Sequence, residues 1–402
     1  METESATHEH AIDLPRAVTI RMTRAMSTFS TLYPALPIAE LVQLSLATTP
    51  ATLEKILRRG HAETLEEVAA LLSPAAVRAQ AAVAERSGEL ARRRFGRAIR
   101  LFAPLYLSNE CVNVCTYCGF SRTNQIPRIT ISVEQAVREV RLLRDRGIGS
   151  LLIVAGEHPK FVSNGFVEEV IRAVLPIIPD VSIEIGPLES PAYAPMVAAG
   201  CAGLVVYQET YHEPSYRAVH TAGPKKRYHW RMDAAERGLA AGFRRLGIGA
   251  LYGLHDFRFE ALSLAAHADH LRSNCPEVQL AISVPRLRPA AGAFQPDPRH
   301  VPGDAEFLAI ICALRLFLPE ADIIVSTRES AELRDRMVSL GVTTMSAGAS
   351  TEPGGYSDFD QDGWTPARDQ PGEQFHIADE RPPHAVAEMI RRRGYLPIWQ
   401  GV

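Results

Sequence analysis

Ser108-Asn109-Glu110-Cys111-Val112-Asn113-Val114-Cys115-Thr116-Tyr117-Cys118-Gly119-Phe120 puts three cysteines into one short stretch, with three residues between the first two and two between the last two. An apolar run at 101–107 precedes it and reads as a strand, so the cysteines belong to a loop at a strand's carboxyl end. That spacing lets three thiolates converge. Thiolates hold iron–sulfur clusters, and a cubane has four irons, so three ligands leave one iron open for a substrate or cofactor. A structural cluster wants a fourth local ligand, and none follows. Zinc wants four ligands in a structural site, or His and carboxylate help in a catalytic one. A disulfide is disfavoured by three clustered cysteines without a secretory signal pattern. Cys201, Cys275 and Cys312 stand apart and read as buried free thiols.

The alternation that begins with this strand continues down the chain. Apolar runs at 101–107, 151–155, 181–185, 204–207, 248–254, 278–284, 323–326 and 343–347 give eight candidate strands. Helical patterns at 133–146, 166–178, 233–245, 259–273, 307–317 and 329–340 fall between them. Continuous apolar strands separated by helices predict a parallel sheet covered on both faces. Eight such units predict an α/β protein with a (β/α)8 TIM-type barrel. An open doubly wound sheet is the runner-up, but no Gly-x-Gly-x-x-Gly turn follows the first strand. Residues 1–99 read as mainly helical, with a helix start at Ser73-Pro74. The expected organisation is an N-terminal helical extension over 1–99, the barrel over 100–350, and a C-terminal segment over 351–402 packing on the barrel.

Composition excludes several classes. Of 402 residues 46% are hydrophobic and 22% charged, which is ordinary globular usage. A net charge of −3 gives no global case for nucleic acid or membrane binding. No apolar stretch is long enough to span a bilayer. The basic run Arg92, Arg93, Arg94, Arg97 and Arg100 reads as a solvated helix end, since no aromatic residues interleave with it for base stacking. The acidic, polar start Met-Glu-Thr-Glu-Ser-Ala-Thr-His-Glu-His is unlike a secretory signal, and a cytoplasmic location is expected.

The three-cysteine loop with an aromatic residue, Tyr117, before its last cysteine resembles that of the radical S-adenosylmethionine (SAM) enzymes. The resemblance implies a [4Fe-4S] cluster on Cys111, Cys115 and Cys118, with SAM on the open iron and its cleavage to a 5′-deoxyadenosyl radical after one-electron reduction. Barrel enzymes place their chemistry at the carboxyl ends of strands, and polar residues collect there in this chain. Gly156-Glu157-His158-Pro159 follows the second strand, Glu184 ends the third, and Gln208-Glu209-Thr210-Tyr211 follows the fourth. His255-Asp256 follows the fifth, Pro285-Arg286-Leu287-Arg288-Pro289 the sixth, Ser326-Thr327-Arg328-Glu329 closes the seventh and Ser346-Ala347-Gly348 the eighth. The ammonium of SAM needs acceptors, for which the Gly156 carbonyl and Glu157 are candidates. The ribose diol suits Glu184 or Glu209, and Tyr117, Gln208 and Arg286 complete the expected SAM set. Taken singly, each acid is more often a helix cap or a solvated residue. Arg286, Arg288 and Arg328 offer planar forks for carboxylates, or else pair with rim acids such as Glu329 and Glu352.

Further motifs resemble the radical SAM tyrosine lyases, the 2-iminoacetate synthase family of thiamine biosynthesis. They are Leu105-Tyr106-Leu107-Ser108-Asn109, Tyr117-Cys118-Gly119-Phe120, Gly156-Glu157-His158-Pro159-Lys160 and Val206-Tyr207-Gln208-Glu209-Thr210-Tyr211. Pro285-Arg286-Leu287-Arg288-Pro289, Leu316-Phe317-Leu318-Pro319-Glu320, Ser326-Thr327-Arg328-Glu329 and Pro353-Gly354-Gly355-Tyr356 continue the series, so the resemblance runs from about residue 70 to the C-terminus. It implies hydrogen abstraction from the amino group of L-tyrosine and Cα–Cβ cleavage, giving 2-iminoacetate and, after reduction, 4-methylphenol. Arg328 and Tyr106 are the expected catalytic residues, Arg328 holding the tyrosine carboxylate. Arg288, Ser326, Ser346 and His267 are expected to complete the substrate pocket, although a lone helix histidine is more often structural. The resemblance also implies a thiazole synthase partner and a reductant such as flavodoxin or ferredoxin.

The chain departs from that family at Glu110, where an apolar or aromatic residue is usual, and in the short tail after Leu396. His255 stands where serine is common, which resembles the tryptophan lyases of antibiotic pathways. Those share the anchoring arginine but generally lack the Tyr-Cys-Gly-Phe and Pro-Gly-Gly-Tyr segments, so a tryptophan lyase is the alternative. The tyrosine lyase of [FeFe]-hydrogenase maturation carries extra C-terminal cysteines, and here none follows Cys312.

Overall fold

The computed structural model describes residues 28–162, 165–292, 294–357 and 372–399. Eight parallel strands form its centre: β1 (Ala98–Ser108), β2 (Ser150–Ala155), β3 (Asp180–Glu184), β4 (Gly203–Glu209), β5 (Arg245–Ala250), β6 (Gln279–Ser283), β7 (Asp322–Val325) and β8 (Thr344–Ser346). Each pairs with its neighbour in chain order, and β8 closes on β1, where Thr344, Met345 and Ser346 stand opposite Arg100, Leu101 and Phe102. The sheet is therefore a closed barrel, as the eight alternating units predict. Its strands are nearly continuous apolar runs because side chains on one face fill the lumen and those on the other meet the helices.

The helices before β1 explain an otherwise odd sequence. Phe307 through Phe317 of the helix Asp304–Phe317 are all buried. An amphipathic stripe would leave one face wet. Here the helices Gln80–Phe95 and Leu65–Leu71 pack over the outer face and dry it. Thr49, Thr64 and Ser73 each cap one of the preceding helices by accepting a backbone N–H three residues on. Arg92, Arg93 and Arg94 form the exposed last turn of Gln80–Phe95, where cations suit the helix dipole. Met1–His10 and the tail residues beyond Trp399 lie outside the described residues.

Three local differences from the sequence reading have physical causes. The apolar run 248–254 stops being strand at Ala250; Gly253 takes φ 123°, and Tyr252 makes only a single bridge to Arg286. The helix expected over 233–245 ends at Ala241, because Gly242 adopts the left-handed cap at φ 103° and Arg245 opens β5. Helix Ser190–Ala198 is hidden in the sequence by Pro191 and by Pro195 in its interior. Beyond the barrel, helix Pro383–Arg392 leads to a ninth strand in the same sheet, Leu396–Ile398, which pairs with the first residues of β1. Among the described residues no helix is long and apolar enough to cross a membrane.

Candidate active site

The cysteine loop leaves β1 at the barrel's carboxyl mouth and is pinned on three sides. Val114–Cys115 forms a short antiparallel pair with His220–Ala222, from the loop after β4. Asn113 donates to Glu157 at 2.7 Å and accepts the backbone N–H of Lys225 at 2.9 Å. Arg128 spends its guanidinium on four loop carbonyls, those of Asn109, Phe120, Ser121 and Asn124, at 2.7–3.1 Å. Asn124 in turn donates to the carbonyls of Cys118 and Gly119. The loop's orphan carbonyls are thus satisfied by side chains rather than by regular structure.

Cys111, Cys115 and Cys118 are all free thiols. Cys115 packs with Tyr117, Leu251 and Leu254, while Cys111 and Cys118 pack against Tyr106, Phe120 and Val154. Burial pushes the Cys115 thiol up to about 12 and Cys118 up to about 11, with the Lys225 ammonium pulling both the other way. Bound iron supplies the positive charge that such thiolates need. Among the described residues no three His, Cys, Asp or Glu side chains gather on a single metal position. The surrounding backbone is also shaped for close approach. A Cβ on Gly156 would overlap the Glu110 carbonyl and crowd Cys111, and one on Gly119 would overlap the Glu373 carbonyl. The donor set and its cradle fit a cluster with three cysteine ligands.

Of the residues expected to hold SAM, Tyr117, Glu157, Gln208 and Glu209 are each held by neighbours outside that set. Tyr117 is buried with its hydroxyl 2.9 Å from Nε2 of His220. Glu157 accepts from Asn113, and its carbonyl accepts from Val112. Glu209 ends β4 at a bulge with φ 71°, a left-handed conformation costly for a residue with a side chain. Lys225 at 2.7 Å and Arg231 at 3.4 Å pair with its carboxylate and hold it below the ordinary carboxylate range against the burial. Gln208 is buried and donates weakly to the Tyr228 carbonyl, and its own oxygen has no hydrogen-bond partner among the described residues.

Beside the loop, inside the mouth, lies a cavity open to solvent. Tyr106, Glu184, Ser326, Arg328 and Ser346 line it, as do Tyr207, Ser283, Thr351, Gln374 and Phe375, which the sequence reading did not single out for the pocket. Burial raises the Glu184 carboxyl to about 7, helped by the Glu209 charge and opposed by Arg328. Ser346 Oγ accepts from the Thr327 N–H at 3.0 Å, fixing the turn that carries Arg328.

The arginines divide sharply. Arg286 pairs with Glu329 and with Asp304, and Arg288 pairs with the same Glu329 at 3.0 Å. Neither lines the cavity. The guanidinium of Arg328 has no acid and no hydrogen-bond partner among the described residues; it lies over the Phe375 ring, 3.3 Å from its centroid. His267 stands outside the cavity. It stacks on Phe29 at 4.3 Å and contacts the Tyr211 hydroxyl at 2.8 Å, between the barrel and the N-terminal helices. His255 stacks on His212 at 3.6 Å and is likewise absent from the cavity wall.

Comparison with known proteins gives the arrangement a family context. Residues 105–264 match the radical SAM superfamily, and residues 283–396 match the biotin and thiamin synthesis associated domain. The 2-iminoacetate synthase of Escherichia coli K12 is 36% identical over 88% of this chain and 90% of its own length. That of Salmonella typhimurium LT2 is also 36% identical, over 88% and 90%. Among solved structures, the [FeFe]-hydrogenase maturase HydG superposes with a TM-score of 0.81 at 29% identity, covering 90% of this chain and 79% of that one.

Proposed function

The chain belongs to the 2-iminoacetate synthase family of radical SAM enzymes, and from that membership we propose how its mouth handles L-tyrosine. The reaction is a carbon–carbon lyase reaction: the Cα–Cβ bond breaks to give 2-iminoacetate, for the thiazole of thiamine, and a 4-hydroxybenzyl radical, which takes one electron from the external reductant and a proton to become 4-methylphenol. Cys111, Cys115 and Cys118 would hold the [4Fe-4S] cluster, which with SAM would supply the 5′-deoxyadenosyl radical that takes a hydrogen atom from the substrate amine.

The protein's share is positioning. Arg328 takes the tyrosine carboxylate through its unpaired fork, which turns the amine toward the cysteine loop. Tyr106 forms the wall between that loop and the cavity, and Ser326 and Ser346 complete the polar cradle. Glu157, Glu184, Gln208 and Glu209 are the acceptors available to SAM, with Tyr117 and the Gly156 carbonyl beside the cluster. Arg286 and Arg288 brace Glu329 beneath the rim. The imine hydrolyses readily, so bound substrate filling the cavity would limit the water that reaches it. The single observation that carries this reading is Arg328: a cation inside the mouth whose guanidinium makes no ion pair among the described residues. A thiazole synthase as recipient of the imine, flavodoxin or ferredoxin as electron donor, and a cytoplasmic location belong to the same proposal.

A tryptophan lyase is the alternative, but His255, the residue that suggested it, contacts His212 and not the cavity. Anaerobic reconstitution with dithionite, followed by product analysis with tyrosine and tryptophan in parallel, tests the assignment. Tyrosine should yield 4-methylphenol, with glyoxylate and ammonia from hydrolysed imine. A methylindole acid from tryptophan with no product from tyrosine would overturn it.

A further inference from the structure

The segment 372–379 crosses the barrel mouth and touches most of the elements that build the site. The Asn109 amide reaches the Gly372 carbonyl at 3.3 Å. Gly119, next to the last cysteine, donates its N–H to the Gln374 carbonyl at 2.9 Å. The Gln374 N–H reaches the Thr351 carbonyl, the Phe375 carbonyl accepts from the Thr351 hydroxyl, and the His376 N–H reaches the Pro289 carbonyl. Ala378 and Asp379 both donate to the Thr327 carbonyl, beside Arg328. The far end is anchored by a fully buried ion pair between Asp379 and Arg334. Two side chains of this strap enter the cavity. Gln374 Oε1 accepts the Tyr106 hydroxyl at 2.7 Å, and the Phe375 ring, 8% exposed, lies against the Arg328 guanidinium.

We propose that the dipeptide Gln374-Phe375 is the positioning element of the substrate cavity, Phe375 fixing the plane of the Arg328 fork and Gln374 fixing Tyr106. This rests on the tyrosine lyase reading of the same cavity. An arginine without an acid partner has several rotamers, each presenting its N–H edges differently. A ring against one face removes that freedom and leaves the in-plane edges for a carboxylate. The same dipeptide reports to the cluster loop, because its backbone carbonyl holds Gly119. Any side chain at 119 would overlap the neighbouring Glu373 carbonyl and lift the strap away. Carboxylate anchor, cavity wall and cluster loop therefore share one short segment as their common reference.

The test uses the full chain with reconstituted cluster, SAM, dithionite and L-tyrosine. Phe375→Leu keeps an apolar cover but loses the π face. It should raise the KM for tyrosine roughly two- to thirtyfold. It should also raise the ratio of 5′-deoxyadenosine to 4-methylphenol, since a misplaced substrate lets SAM cleavage run unproductively. Iron content and the cluster spectrum should stay as in the wild type, and Phe375→Tyr, which keeps the ring, should restore KM and ratio together. Gln374→Leu keeps the strap's backbone bonds and should raise the ratio through Tyr106. Unchanged KM and ratio in Phe375→Leu would overturn the inference. Should that variant not fold, Gln374→Leu decides, and an unchanged ratio there overturns it. A wild-type chain that cleaves SAM but leaves tyrosine intact overturns the substrate reading and this inference with it. Tight coupling in wild type and variants alike overturns the inference alone.

Discussion

Nε of Arg286 donates to Oε2 of Glu329 at 2.9 Å, and its Nη2 reaches the same oxygen. Glu329 is 1% exposed, so this pair is a buried brace in which the arginine offsets a desolvated carboxylate. Arg288 adds a third donor to that oxygen. Two of the three rim arginines are therefore committed to the protein, while the guanidinium of the third, Arg328, makes no ion pair among the described residues, as the proposed carboxylate anchor requires.

Arg328→Lys follows from that contrast. Lysine keeps the charge and loses the two-pronged geometry, and a charge-assisted bond contributes roughly 1.5–3 kcal/mol, about ten- to more than a hundredfold. Tyrosine turnover should fall by that order while the cluster spectrum and unproductive SAM cleavage persist. Arg286→Gln should behave in the opposite way. It leaves Glu329 buried without its main partner, so the midpoint of thermal unfolding should drop by an amount matching roughly 3–5 kcal/mol. If Arg328→Lys abolishes SAM binding with tyrosine affinity intact, Arg328 belongs to the cofactor instead.

Arg128 predicts a cluster defect away from the cysteines. It satisfies four loop carbonyls at once, and a lysine has only three donors on a single nitrogen. Each carbonyl left dry costs about 1–3 kcal/mol, enough to open the empty loop. Arg128→Lys should take up several-fold less iron and sulfide on reconstitution, approaching the loss expected for Cys115→Ala. Arg122→Lys, at an exposed neighbour, should load normally. Full loading of Arg128→Lys would show that the loop needs no such brace.

The barrel was legible because each lumen strand is an apolar run too short for a helix and bounded by polar residues; 151–155 and 181–185 fall within a residue of β2 and β3 at either end. The cysteine loop was legible because its three cysteines are local in the chain. Arg128 and the strap were not, for opposite reasons. Arg128 lies close in sequence to the loop it holds, but bonds to backbone carbonyls leave no mark on residue type. Gln374 and Phe375 lie far beyond β8 in a stretch without periodicity, so only tertiary structure brings them over Tyr106 and Arg328. Tyr207 was read as part of a strand and a motif; its place in the cavity depends on which way β4 faces.

His267 predicts acid sensitivity rather than catalysis. Burial lowers its imidazole to about 4, so it stays neutral in the fold while the unfolded chain titrates near 6.5. The unfolded state then binds more protons between those values. Stability is full above about pH 6.5 and declines as pH falls toward 4, by roughly 2 kcal/mol at pH 5. His267→Gln should flatten this loss in urea titrations at pH 5 and 7, and the KM for tyrosine should not change. A raised KM with unaltered acid sensitivity would return His267 to the substrate pocket.

Glu184 carries the opposite sign. Its carboxyl, raised to about 7 by burial in the cavity wall, keeps its proton in the fold at pH values where the unfolded chain has already lost it. Below about pH 4.3 both states are protonated and the residue is neutral toward folding. As pH rises from there to 7, the unfolded state is increasingly favoured. Above 7 the cost levels off at roughly 3 kcal/mol. Glu184→Gln keeps the shape and cannot ionise. Its unfolding midpoint should match the wild type near pH 4 and exceed it by a few degrees at pH 8. The functional consequence runs against the stability gain, because the ionised form is the better acceptor for an ammonium or a ribose hydroxyl. SAM cleavage at pH 8 should therefore fall in the more stable variant. A difference in midpoint that stays constant from pH 4 to pH 8 would mean that Glu184 titrates as an ordinary surface acid. Its place in the cavity wall would then have no electrostatic consequence.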